Sequence, residues 1–227
     1  MINFSRGVYY YLIFIFIFSL TCLAQQQKTE ILPKPNFDGK DSSLLSLLKI
    51  RRTNRSFDST EIPPQVLSEL LWSADGINDS ASGKRTAPSA HNWQTISIYI
   101  AEANGLYLYD PKSHSLIQIS GKDIRKYTGS QTFVTEAPAT FIYVADFGKM
   151  DLHSKSMTDK DRIFFASIEA GCISQNVYLY CASEGLNVVV HDLNDRNGLA
   201  EQMGVLTPDQ KIIITQTVGY PKKEAGK

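Results

Sequence analysis

The chain has 227 residues, 43% hydrophobic and 20% charged, which is the make-up of a globular protein rather than a disordered or fibrous one. Its 23 Lys and Arg are balanced by 23 Asp and Glu, so the broad basic surface needed to bind nucleic acid is lacking. Three cysteines are too few for a disulfide scaffold, and no CxxC pair or His/Cys cluster reads as a zinc site.

Residues 1–24 read as a signal peptide. Arg6 is their only charge, and the strongly apolar run over 8–20 is shorter than the ~20 residues a spanning helix needs. Cys22 and Ala24 stand at the small-residue positions of a cleavage site, so cleavage after Ala24 and export, to a periplasm, are expected. Cys22 is also the residue a lipid anchor would use. In the remaining chain Cys172 and Cys181 fall nine apart on an expected helix, on opposite faces at about 100° per residue, and should not pair.

Residues 25–40 are polar, carry Pro33 and Pro35, and read as an extended N-terminal arm ahead of one domain over 41–223. Ser42 or Ser43 can cap a short helix with Leu44, Leu45, Leu47 and Leu48 on its apolar side. Pro63 and Pro64 open a second helix, and a Gly/Ser/Asp-rich loop follows over 75–83. The alternation in 95–101 predicts a strand, 106–109 and 116–119 a hairpin, and 139–145 another strand. The stretch 162–184 has no Pro and one Gly and predicts a long buried helix closed by Gly185. Strands over 187–190 and 211–218 flank a short helix near 195–203. This order implies an α+β fold with a central, mostly antiparallel sheet covered by helices.

Three segments could carry chemistry. Arg51, Arg52, Thr53 and Arg55 end the first helix, and guanidinium forks suit a phosphate. The competing reading is that these cations only offset the helix macrodipole. Residues 85–94 hold the turn Pro88-Ser89-Ala90 and the amides of Asn92 and Gln94, which suit a heteroaromatic edge or simply satisfy their own loop. Residues 184–193 join the long helix to a strand beside His191; a lone His of this kind is more often structural. No HExxH, GxGxxG, GxSxG or P-loop occurs, so the residues read as a holder for a cofactor that does the chemistry.

Taken together, these segments resemble the FMN-dependent nitroreductase family, in particular its short SagB-type members. RRTNRSF at 51–57 is similar to the family's phosphate motif, and GKRTAPSAHNWQ at 83–94 to its flavin loop P-S-x-x-N-x-Q. EAGCISQNVYLYCASEGLNVVV at 169–190 resembles the long helix and the turn beside the flavin, and VGYPKK at 218–223 the terminal GYP segment. The resemblance implies a nitroreductase-like sandwich, a homodimer, and two FMN sites at the subunit interface. It implies that Arg51, Arg52, Thr53 and Arg55 hold the FMN phosphate and ribityl chain, joined by Lys222 or Lys223. Pro88, Ser89, Ala90, Asn92 and Gln94 would line the flavin. Val190, His191, Asp192 and Leu193 would present backbone to the isoalloxazine, with His191 as a modulator. The implied activity is a two-electron ping-pong oxidoreduction of a small organic substrate, with no metal and no dedicated catalytic acid. Familiar members have a small residue or Pro where this chain has Val190 and His191. Export also removes the protein from the NAD(P)H that cytosolic members use, which leaves the electron donor and direction open. The alternative is an exported, non-catalytic module on the same fold that holds a flavin or another planar ligand.

Overall fold

The computed structural model describes residues 27–39, 43–150, 157–192 and 195–222. The signal segment with Cys22, together with Leu193 and Lys223, lies outside the described residues.

The fold is α+β. One seven-stranded sheet runs in the order β1-β6-β5-β4-β7-β9-β8. Its members are β1 (Thr29–Ile31), β4 (Ile96–Glu102), β5 (Gly105–Asp110), β6 (Ser115–Ser120), β7 (Ala139–Asp146), β8 (Asn187–His191) and β9 (Gln210–Gly219). Each neighbouring pair is antiparallel. A separate short hairpin, β2 (Ile77–Asp79) and β3 (Lys84–Arg85), occupies the segment whose composition reads as a loop. β1 lies within the stretch that reads as an arm and pairs with β6, so part of that arm forms one edge of the main sheet.

The core follows from the period-2 alternation of β7 between its two neighbours. Phe141, Tyr143 and Ala145 face one apolar cluster, and Ile142 and Val144 face the other. The helix covering the first face is α4 (Asp159–Glu184). It buries Ala166, Ala170, Ile173, Val177 and Cys181, spaced at three and four residues, in that cluster. The second face is covered by α5 (Arg196–Met203) through Leu199 and Met203. Two further helices, α1 (Leu44–Ile50) and α2 (Pro64–Asp75), lie between β1 and β2, and the four-residue α3 (Phe133–Glu136) precedes β7. Among the described residues no helix is long and apolar enough to cross a membrane. Cys172 and Cys181 are both free thiols.

The ends of α4 are defined by local chemistry. Thr158 and Asp161 form a reciprocal capping box at its start. Gly185 ends it in the left-handed conformation with φ 67°, and its N–H bonds the Cys181 carbonyl. A Cβ at Gly185 would meet nothing within 4 Å, so substitution there costs backbone strain alone. Gly185→Ala should therefore lower unfolding free energy by about 1 kcal/mol in a urea titration, and Gly185→Asn by less. An Ala variant with the parent midpoint would contradict this account of the helix stop.

Candidate functional site

The segments singled out in the sequence are organised by two side chains of α4 that lie within the 169–190 motif but carry no assigned role there. The first is Tyr178, which is buried. Its hydroxyl lies 3.0 Å from Thr53 Oγ1 and accepts the Val190 N–H at 3.0 Å. Arg51 stands with its guanidinium carbon 5.1 Å from the Tyr178 ring centroid, a cation–π placement that orients the charge. The Asn54 N–H adds a bond to the Val188 carbonyl at 3.1 Å. Loop 51–55 is thus sewn along β8.

β8 is an edge strand, so alternate backbone groups point away from β9 and need partners. Loop 51–56 supplies one, through the Asn54 N–H, Tyr178 supplies another, and the Asn187 side-chain Nδ2 donates to the Ser56 carbonyl at 2.5 Å. The terminal segment joins the same edge. Phe57 forms an isolated antiparallel bridge with Pro221, and the Asp58 N–H bonds the Tyr220 carbonyl at 2.9 Å. Lys222 is exposed, with Nζ 4.0 Å from Glu136 Oε2.

The cluster of three arginines divides by use. Arg52 donates to the carbonyls of Lys49 at 2.9 Å and Arg51 at 2.8 Å, which is the helix-end role. Arg51 is half-buried on Tyr178, and Arg55 is exposed near His191, where its charge helps depress the imidazole pKa.

The second organising side chain is Glu169, 5% exposed. Its Oε2 accepts from Ser89 Oγ at 2.6 Å and Thr95 Oγ1 at 3.0 Å, and its Oε1 accepts the Ile96 N–H at 2.9 Å. Ser89 Oγ in turn accepts the Gln94 N–H at 2.8 Å. A buried carboxylate is tolerated because it is fully engaged, and it fixes loop 88–95 to the helix. Within this loop His91, Asn92 and Gln94 have φ of 51°, 57° and 51°. Three non-glycine residues in the left-handed region within four positions amount to stored strain, a common feature of binding loops. Gln94 Nε2 donates to the Gly83 carbonyl at 2.9 Å and to Asn92 Oδ1 at 3.1 Å, so much of this amide chemistry serves the loop itself. Pro88 and Asn92 are exposed, and Ala90 is half-buried.

Glu169 and Tyr178 are nine residues apart. On an α-helix that is roughly 13–14 Å along the axis and half a turn around it. Loop 88–95 therefore sits on one side of α4, and the arginine loop with β8 sits on the other. One chain brings together 51–55, 187–191 and 220–222, and it holds 88–94 apart from them.

His191 is placed differently from a modulator on an open site. Its ring is buried, with Nε2 2.8 Å from Thr217 Oγ1 and Nδ1 3.3 Å from Thr215 Oγ1. Phe133 packs edge-on at 5.2 Å. The ring is a structural pin between strands, and the expectation of a ring that tunes a flavin has no support in this placement. Val190 offers no free N–H either, because Tyr178 takes it. Asp192 is exposed and pairs with Arg196 at 3.0 Å. Among the described residues no group of three or more His, Cys, Asp or Glu is placed to hold a metal.

Comparison with known proteins adds three findings. The family model for the nitroreductase family matches residues 48–220. A candidate nitroreductase of Methanocaldococcus jannaschii is 29% identical over 163 residues, covering 67% of this chain and 79% of that protein. Among solved structures, a candidate nitroreductase of Ralstonia eutropha JMP134 is 40% identical with a TM-score of 0.79, covering 87% of this chain and 91% of that one. The NADPH:FMN oxidoreductase of Vibrio harveyi, solved with NAD+, shares the fold at 16% identity and a TM-score of 0.56, covering 79% of this chain and 69% of that one.

The buried His191 has a consequence for acid stability. Burial, with help from Arg55, pushes its pKa from 6.5 down to about 4. The unfolded chain therefore binds a proton that the folded chain refuses between about pH 6.5 and 4, and stability falls as pH falls through that window. Glu102, raised to about 7 by burial and by Glu61 and Glu30, gives the opposite slope over part of the same range. The difference between parent and His191→Gln isolates the histidine. The parent should lose roughly 1–3 kcal/mol more than the variant between pH 6.5 and 4 in urea titrations. Parallel curves would contradict the buried neutral imidazole.

Proposed function

Because the chain belongs to the nitroreductase family, we propose that this oxidoreductase works through bound FMN, in a site assembled between two copies of an exported chain. The observation that carries this reading is the arrangement on α4. Tyr178 gathers the arginine loop and β8 on one side of the helix, and Glu169 holds the flavin loop on the other. A second copy, facing the first across α4, supplies the segment that one copy keeps apart.

The surface of α4 supports such a pairing. Phe164 is 61% exposed and Ile168 51%, and Gly171 on the same stripe has open space where a Cβ would stand. The α1 helix is more extreme. It has seven residues and buries none of them, with Leu44, Leu45, Leu48 and Ile50 all exposed. A helix this short gains little from its own hydrogen bonds and needs packing. Burying each of these aliphatic side chains is worth roughly 1.5–3 kcal/mol, which a second copy collects.

The donor set fits FMN. Arg51 and Arg55, with Lys222 at the end of the terminal segment, offer fixed positive charge to a dianionic phosphate. Thr53 adds a hydroxyl already positioned by Tyr178. Asp192, exposed just past the end of β8, offers backbone to a ring system, and the partner's loop 88–95 closes the opposite face. When bound, FMN supplies the two-electron chemistry, exchanged in turn with a donor and with a small organic substrate. The chain's own work is to bind, orient and shield, which agrees with a sequence that carries no nucleophile–base pair. A SagB-type setting in the periplasm is part of the same proposal, drawn from the apolar segment at 8–20.

Arg51→Ala combined with Arg55→Ala should weaken FMN binding at least tenfold, since charge-assisted contacts are worth roughly 1.5–3 kcal/mol each. Circular dichroism should report a retained fold, and the parent's flavin absorbance should bleach reversibly with dithionite. Unchanged FMN affinity in the double variant would remove the phosphate assignment.

A further inference from the structure

The N-terminal strand β1 is held to the sheet chiefly by its backbone. All three of its residues are exposed, Ile31 at 68%. The Gln118 N–H bonds the Lys28 carbonyl at 2.8 Å ahead of the strand, and the Leu32 N–H bonds the His114 carbonyl at 3.0 Å behind it. From Leu32 onward the attachment is firmer. Leu32 is buried, Ser68 Oγ donates to the Pro33 carbonyl, and Gln65 Nε2 donates to the Lys34 carbonyl at 2.9 Å. The arm therefore has a hinge at 32–33, with a weakly fastened edge strand on one side of it.

β1 borders a cavity of about 290 Å³ that contains none of the residues assigned to the flavin. The titratable side chains lining it are Glu30 of β1, Glu61 from the segment entering α2, Glu102 at the end of β4, Tyr107 of β5 and Arg125. Arg125 is committed elsewhere. Its Nε and Nη2 donate to the two carboxylate oxygens of Asp123 at 3.0 and 2.7 Å, and its Nη1 donates to the Ala137 carbonyl at 2.8 Å. Among the described residues none of the three glutamate side chains has a hydrogen-bond or ion-pair partner. Glu102 is half-buried, and burial together with Glu61 and Glu30 pushes its pKa up to about 7 against the pull of Arg125. Tyr107 keeps its proton, because burial, Glu102 and Glu30 all raise its pKa.

The geometry points to β1 as a pH-gated strap, closed on the cavity while Glu102 is protonated and peeling from the hinge at 32–33 once Glu30, Glu61 and Glu102 all carry charge. Peeling takes Glu30 away and lets water reach Glu102, and both changes favour the ionised carboxylate. Glu102 thus binds its proton more tightly in the closed state, so pH rising through about 7 shifts the balance toward the open one. If opening lowers the Glu102 pKa by one unit, the ratio of open to closed chains rises about fivefold between pH 6 and 8. The strap is separate from the flavin reading and stands or falls independently of it.

Hydrogen exchange of the mature full-length chain, read by NMR at the Gln118 amide, tests the strap. Dividing out the intrinsic exchange rate leaves a protection factor that reports opening alone. In the parent it should fall at least about fivefold from pH 6 to 8. In Glu102→Gln, which cannot ionise, it should stay level. Glu30→Gln, at an exposed residue whose loss leaves the core intact, should show a smaller fall than the parent. Asp75 is also raised to about 7 but lines a different cavity, so peeling of β1 leaves its environment unchanged. At each pH the Gln118 amide should be less protected than the Ile142 amide of β7, because the strap opens without the sheet. A level protection factor in the parent would overturn the inference. A fall as large as the parent's in either variant would do the same, by assigning the pH dependence to another group. Equal protection at Gln118 and Ile142 would also overturn it, by making the opening global.

Discussion

Glu169 and Tyr178 are polar side chains set into α4, and the site depends on their separation along it. Each pins a loop that would otherwise have little reason to be ordered. Glu169 accepts three hydrogen bonds and draws loop 88–95 onto the helix. Tyr178 joins Thr53 to Val190 and holds the arginine loop along an exposed strand edge. Removing either partner would leave buried donors or acceptors unpaired, which costs more than the bonds themselves contribute. The helix can bear these polar groups because its capping box and Gly185 fix both ends, and a continuous apolar stripe fixes its rotation on the sheet. Helical geometry then sets the distance between the two loops, and that distance argues for a site shared between copies.

The sheet contributes the second constraint. β8 stands at an edge, where outward backbone groups invite mispairing. Loop 51–56 and the bridge between Phe57 and Pro221 cover that edge and place the cationic side chains beside it. In the proposed reading, edge protection and phosphate recognition are served by the same residues. His191, which closes β8, contributes through its buried pairing with Thr215 and Thr217, and the role of its ring is to lock β8 to β9.

Much of this was legible in the sequence, for identifiable reasons. The unbroken run 162–184 followed by Gly185 marks a long helix with a left-handed stop, and the structure extends it to Asp159–Glu184. The paired runs around residues 110–115 mark the β5–β6 hairpin. The family resemblance rested on short motifs, and the matched span 48–220 contains nearly all of them. Other features left no readable trace. β1 has only three residues, Thr-Glu-Ile, too few to display alternation, and it exists through pairing with β6. The β2–β3 hairpin is built from residues whose composition is that of a loop. Arg51 and Arg52 are indistinguishable by type, and only the direction of the chain leaving α1 assigns one to Tyr178 and the other to the helix end. Glu169 did carry a signal, as a lone carboxylate between Ile168 and Ala170 in an apolar helix, a placement that calls for buried donors.

The central claim is that the flavin site exists only where two copies meet on α4. Sedimentation of the FMN-loaded mature chain, followed at flavin wavelengths, tests it most directly, together with Ile168→Glu, which places a charge on the exposed face without touching either loop. The account predicts flavin absorbance moving with a species of twice the chain mass, and a variant that sediments as a folded monomer and releases its flavin. A monomer that carries a full complement of FMN, in the parent or in the variant, would contradict it.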